Sequence, residues 1–134
     1  MESGLTVSAL ASALGLGLLI GVVRERAHPD PRHAVAGIRT HTIVAIAGAL
    51  GAALGTTVLV AVLLIVGALA IASYLKTVEH DPGLTGEVAL PVTALLGALA
   101  LSKPGLAAGL SVIVAAALWA KAPLHRLARE RISE

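Results

Sequence analysis

Cysteine is absent from the chain, so disulfides, thiolate metal sites and thiol catalysis are excluded from the start. Phenylalanine is absent too, and one Trp and one Tyr complete the aromatic set. An aqueous core draws on aromatic volume, whereas a chain rich in Ala, Leu, Val and Gly suits thin, closely packed helices in lipid. Charge is equally scarce. Only 13% of residues are Asp, Glu, Lys or Arg, against about 25% in soluble domains. With 57% hydrophobic residues and a mean hydropathy of +0.90, the composition indicates an all-α polytopic membrane protein. The formal charge of +2 says little, because in a membrane the placement of charges matters more than their sum.

The uncharged runs set the spans. Residues 5–23 carry no charge and are followed at once by Arg24-Glu25-Arg26. About 20 helical residues cross a ~30 Å hydrocarbon core, so a first span is expected at about 5–24. The start Met1-Glu2 lacks the basic residues of a signal peptide, and no small-x-small cleavage pattern precedes the arginines. This segment therefore reads as a retained span. His28, Pro29, Asp30, Pro31, Arg32 and His33 follow, and the two prolines make residues 27–35 a loop.

Residues 42–75 are again without charge, and as one helix they would run roughly 50 Å. The weak point is Gly55-Thr56-Thr57, a glycine before two β-branched residues whose hydroxyls can take up backbone groups. A turn there gives a second span at about 36–54 and a third at about 57–75. A polar loop ending in Asp81-Pro82-Gly83 leads to a fourth span, about 84–101, which carries Glu87 and Pro91. Ser102-Lys103-Pro104 then turns into a fifth, about 104–121, with Ser102 the expected N-cap. In the tail, 122–134, Leu124, Leu127, Ala128 and Ile132 share a face, with Arg126, Arg129, Glu130 and Arg131 largely opposite. That pattern predicts a short basic amphipathic helix in the headgroup layer.

Charge placement decides the span count. With five spans, the side holding the first loop also holds the third loop and the C-terminus. It collects nine of the ten Lys and Arg residues, all except Lys103. Four spans would put the basic tail opposite the basic first loop, against the positive-inside bias. The expected topology is N-terminus out and C-terminus in, with Tyr74 and Trp119 at the cytoplasmic interface. Gly17-x-x-x-Gly21, Gly51-x-x-x-Gly55 and Gly105-x-x-x-Gly109 each set two glycines on one helix face. Together they predict tight helix packing and an oligomer.

The polar residues gather at one place. Arg39, Thr40 and His41 open the second span, and a cation in a first helical turn faces the positive end of the dipole. Arg39 therefore needs a compensating group, for which Glu87 is the best candidate and Glu25 the next. With Arg24 these residues form a cluster at the cytoplasmic helix ends, readable as interfacial anchoring, as an anion or headgroup site, or as the vestibule of an ion path. His28, Asp30, His33 and His41 make only a weak transition-metal signal. Magnesium prefers oxygen ligands, and the spans offer few carboxylates beyond Glu87. No catalytic triad, P-loop or dinucleotide fingerprint is present, so an enzyme is not expected. Nor is nucleic-acid binding, since the basic residues line a membrane face.

Gly17-Leu18-Leu19-Ile20-Gly21-Val22-Val23-Arg24-Glu25-Arg26, a short loop, and then Ala36-Gly37-Ile38-Arg39-Thr40-His41 together resemble the MgtC/SapB family of bacterial membrane proteins. There a first span ends in L-I-G-L-E-R-E and a second opens with A-G-L-R-T. Thr85-Gly86-Glu87-Val88-Ala89 and Pro123-Leu124-His125-Arg126-Leu127 resemble stretches of longer relatives that carry a second membrane domain. Val23 stands where the family usually has Glu. The resemblance implies a bacterial inner-membrane protein of magnesium homeostasis, with Mg²⁺ the transported or sensed ion and no resident cofactor. The expected role is an ion-transport component. The alternative is a regulatory or assembly protein that binds other membrane proteins through Gly-rich helix faces. The expected partners are the lipid bilayer and either further copies of the chain or a separate polypeptide supplying the second domain.

Overall fold

The computed structural model describes residues 6–27, 37–77 and 85–133. Among them every regular element is helical: α1 (Val7–Ala27), α2 (Ile38–Leu54), α3 (Thr56–Thr77), α4 (Thr85–Leu99) and α5 (Pro104–Ser133). Two helices are long and apolar enough to cross a membrane, over Val7–Arg26 and Thr56–Lys76. The apolar parts of the other three, Ile38–Leu54, Glu87–Leu99 and Pro104–Ala120, are shorter. Only 17% of the α3 stretch is buried at a mean hydropathy of 2.8. A soluble core helix would be mostly covered, so this surface suits lipid rather than water.

The α2–α3 reversal falls at Gly55, whose φ of 135° is a conformation glycine adopts without strain. Gly51 then lies against Leu59 across the turn, where a Cβ would come within 3.0 Å of the Leu59 Cα. The α4–α5 turn differs from the expected one. Residues 100–103 wind down through the Leu101 N–H to Ala98 carbonyl bond (3.3 Å) and the Ser102 N–H to Leu99 carbonyl bond (3.1 Å). Helix α5 starts at Pro104, which suits a first helical position because it has no N–H to leave unpaired. Lys103, not Ser102, is thus the capping residue, and its carbonyl accepts from Ala107 at 3.0 Å.

The expected separate tail helix is also corrected. Helix α5 continues without a break to Ser133 as one 30-residue rod, about 45 Å long, so it outruns a ~30 Å hydrocarbon core. The side chains from residue 121 on, including the tail's basic residues, lie outside the described residues.

Helix direction follows from a few contacts. Gly17 meets α2 at Thr42 and Gly21 meets it at Ile38, so α1 and α2 run antiparallel. The start of α4, at Glu87, reaches the end of α1, at Arg24, while Glu25 beside it covers Gly37 at the start of α2. Helices α2 and α4 therefore begin at the same end and run parallel. The core shared by α1, α2, α4 and α5 is mostly alanine: Ala13, Ala45, Ala49, Ala89, Ala100 and Ala107 are buried with Leu16, Ile20, Leu96 and Leu118. A second cluster joins α3 through Val66 and Ala70 to Val44, Leu90 and Ala94.

The closest approach is at the α2–α4 crossing. A Cβ on Gly48 would fall on the Ala94 carbonyl, and one on Gly97 would fall on the Ala45 carbonyl. Backbone lies on backbone there.

Candidate polar site of the helix bundle

Three helices bring buried polar groups to one end of the bundle. Arg24, in the last turn of α1, shares the helix face of Gly17 and Gly21 that packs on α2, and its guanidinium reaches across to α4 at Glu87. Glu87 lies in the first turn of α4. The Arg24 guanidinium Nη2 and the Glu87 Oε1 are 4.0 Å apart, and each side chain is only 8% exposed. Both charges sit at the helix ends that favour them, a cation near a C-terminus and an anion near an N-terminus.

His41 on α2 is completely buried, as is Thr93 on α4. His41 Nδ1 lies 3.1 Å from Thr93 Oγ1, and the Thr93 hydroxyl donates to the Ala89 carbonyl at 2.6 Å. A hydroxyl has one proton to give. With that proton on Ala89, Thr93 Oγ1 must accept from His41, so Nδ1 carries the imidazole hydrogen. A fully buried ring with no carboxylate bonded to it is neutral, which leaves Nε2 as a bare acceptor.

The predicted cluster is therefore partly assembled and partly rearranged. Arg24, His41 and Glu87 come together. Arg39 does not join them: it is exposed, and no ion pair to it occurs among the described residues. The partner of Glu87 is Arg24. The reason lies in helix geometry, since Val44, Ala45 and Gly48 turn inward with His41, leaving Arg39 on the outer face. Thr40 is half-buried. Glu25 is exposed and covers the Gly37 Cα, where a Cβ would come within 2.7 Å of its Oε1. Its carboxylate thus stands at the N-terminus of α2, where Gly37 supplies no side-chain cap. Thr93 bonds both its own helix, at the Ala89 carbonyl, and a neighbouring one, at His41.

Among the described residues no group of three or more His, Asp or Glu could hold a metal ion. His28, Asp30 and His33 lie outside the described residues. Beside the ion pair an open groove of about 300 Å³ runs between α3 and α4, formed by Gly67, Ala70, Tyr74, Val88 and Pro91 with Glu87 at its edge.

The glycine pairs also divide. A Cβ on Gly17 would come within 2.8 Å of the Thr42 Cα, and one on Gly21 within 2.6 Å of the Ile38 Cα. Those faces, and that of Gly51, are used inside the chain. A Cβ on Gly105 or Gly109 would meet nothing outside its own helix within 4 Å among the described residues.

No match was found among curated proteins or among solved structures. The family model of the MgtC family, however, matches residues 10–127, which takes in the α1 glycine face, Arg24, His41, Glu87 and Thr93. The chain belongs to the MgtC family.

Proposed function

We propose that this chain is a multi-pass protein of the bacterial inner membrane, with five spans, that serves magnesium homeostasis as a regulatory or assembly component. The reading of its role rests on the Arg24–Glu87 pair. The one buried carboxylate among the described residues is neutralised by a guanidinium at 4.0 Å and lies at a favourable helix end. A cation path would need that carboxylate available, with oxygen ligands beside it. Here it ties α1 to α4 at the point where α2 also begins, which makes it a lock between helices. The α2–α4 contact just beyond, backbone on backbone, leaves no lumen along that seam. Five spans agree with the helix directions, since α2 and α4 run the same way and α1 runs against both.

The test removes both charges. An Arg24→Leu/Glu87→Leu double variant is expected to retain folding and to support growth in magnesium-poor medium better than either single variant. Proteoliposomes of the unaltered chain are expected to show no magnesium uptake above empty vesicles. Uptake that is lost in Glu87→Gln would overturn the reading.

One observation favours the second reading, an ion-transport component. Glu87 is among the residues that line the α3–α4 groove, beside the otherwise apolar Gly67, Ala70, Val88 and Pro91. The same flux measurement separates the two.

A further inference from the structure

Among the described residues, three buried side-chain atoms have no hydrogen-bond partner: Arg24 Nε, His41 Nε2 and Thr42 Oγ1. Buried polar atoms are almost always satisfied, so three in one seam call for a ligand. They come from facing positions. Gly17 packs on the backbone of His41 and Thr42, and Arg24 lies two turns further along the same face of α1. Helical side chains lean toward the N-terminus of their own helix. Because α1 and α2 are antiparallel, Arg24 and His41 lean toward each other. Both are also tied to α4, Arg24 through Glu87 and His41 through Thr93.

The chemistry of the three atoms defines what fits. Arg24 Nε–H only donates. His41 Nε2, with the hydrogen fixed on Nδ1, only accepts. The Thr42 hydroxyl does either. A bare cation is excluded by the neighbouring guanidinium and by the lack of a ligand cluster among the described residues. An anion would meet the Nε2 lone pair. A neutral molecule with two donors and two acceptors suits all three. We propose that the α1–α2–α4 seam holds an ordered internal water, accepting from Arg24 Nε and donating to His41 Nε2, with Thr42 Oγ1 as its third contact. Such a water joins the Arg24–Glu87 pair to the His41–Thr93 pair in one network, so a change at Glu87 is felt at His41.

The test is solid-state NMR on the full chain in phosphatidylethanolamine/phosphatidylglycerol bilayers, with ¹⁵N-labelled His and Arg. The expected result is a His41 ring protonated at Nδ1 and bare at Nε2, with magnetisation passing from water protons to His41 Nε2 and Arg24 Nε. Thr93→Val, which removes the acceptor for Nδ1–H, is expected to abolish the single-tautomer signal, and Thr93→Ser to restore it. A proton found on Nε2 would overturn the proposal. So would an absence of transfer from water, or a direct coupling between Arg24 Nε–H and His41 Nε2. These readouts do not depend on whether the protein transports or regulates.

Discussion

Gly48 of α2 and Gly97 of α4 flank one crossing point, each with its Cα against the facing backbone, Gly48 on Ala94 and Gly97 on Ala45. No Cβ can be placed at either position without moving a helix. Substituting Gly48→Ala or Gly97→Ala must therefore separate α2 from α4. The expected cost is about 1–3 kcal/mol, as for overpacking of a tight core, partly offset by the higher helix propensity of alanine, up to ~1 kcal/mol. Gly67→Ala is the control: a Cβ there would meet nothing outside its own helix within 4 Å among the described residues, so it should be neutral or stabilising. Reversible denaturation in mixed micelles would order the three variants.

The ion pair predicts an asymmetry between single and double changes. Arg24→Leu leaves the Glu87 carboxylate buried without its cation, and loss of one partner of a buried pair costs about 3–5 kcal/mol. The double variant Arg24→Leu/Glu87→Leu should recover most of that loss, because two well-packed apolar groups replace two desolvated charges. A double-mutant cycle on unfolding free energy measures it, and additive single losses would contradict the pairing.

Arg39 gives the opposite expectation. It is exposed, so Arg39→Gln should change stability by no more than about 0.5 kcal/mol. Were Arg39 the partner of Glu87, the same substitution would match the loss expected for Arg24→Leu. Comparing the two variants in one melting experiment decides which arginine holds the carboxylate.

The contrast between these arginines marks what the sequence can and cannot reveal. The uncharged runs and the Gly55 break located helices to within a few residues, because hydropathy and chain reversal are local properties. The gathering of Arg24, His41 and Glu87 at one end followed from counting spans. Which arginine faces inward did not, since that depends on the rotation of α1 and α2 about their axes. The α2–α4 crossing was hidden for a related reason. Gly48 and Gly97 each pair with an alanine three residues earlier, Ala45 and Ala94, so neither forms the glycine-x-x-x-glycine pattern that marked the α1 face. The continuity of α5 is not legible in the sequence, because its composition turns from apolar to charged near residue 121 while the helix runs unbroken to Ser133.

The glycine faces carry the last prediction. Gly17 packs on the backbone of α2, so Gly17→Leu does not test association between proteins. That variant should unfold the chain itself, since a side chain would have to enter where a single Cβ already comes within 2.8 Å of the Thr42 Cα. Gly109→Leu is the informative substitution. Apart from its own helix, a Cβ on Gly109 would meet nothing within 4 Å among the described residues, so the thermal stability of the monomer should stay within about 0.5 kcal/mol of the original, as for a surface change. If α5 presents its Gly105 and Gly109 face to another membrane helix, cross-linking in native membranes should fall while stability holds. Loss of both together would mean that the α5 face is closed within the chain, and that association uses a different surface.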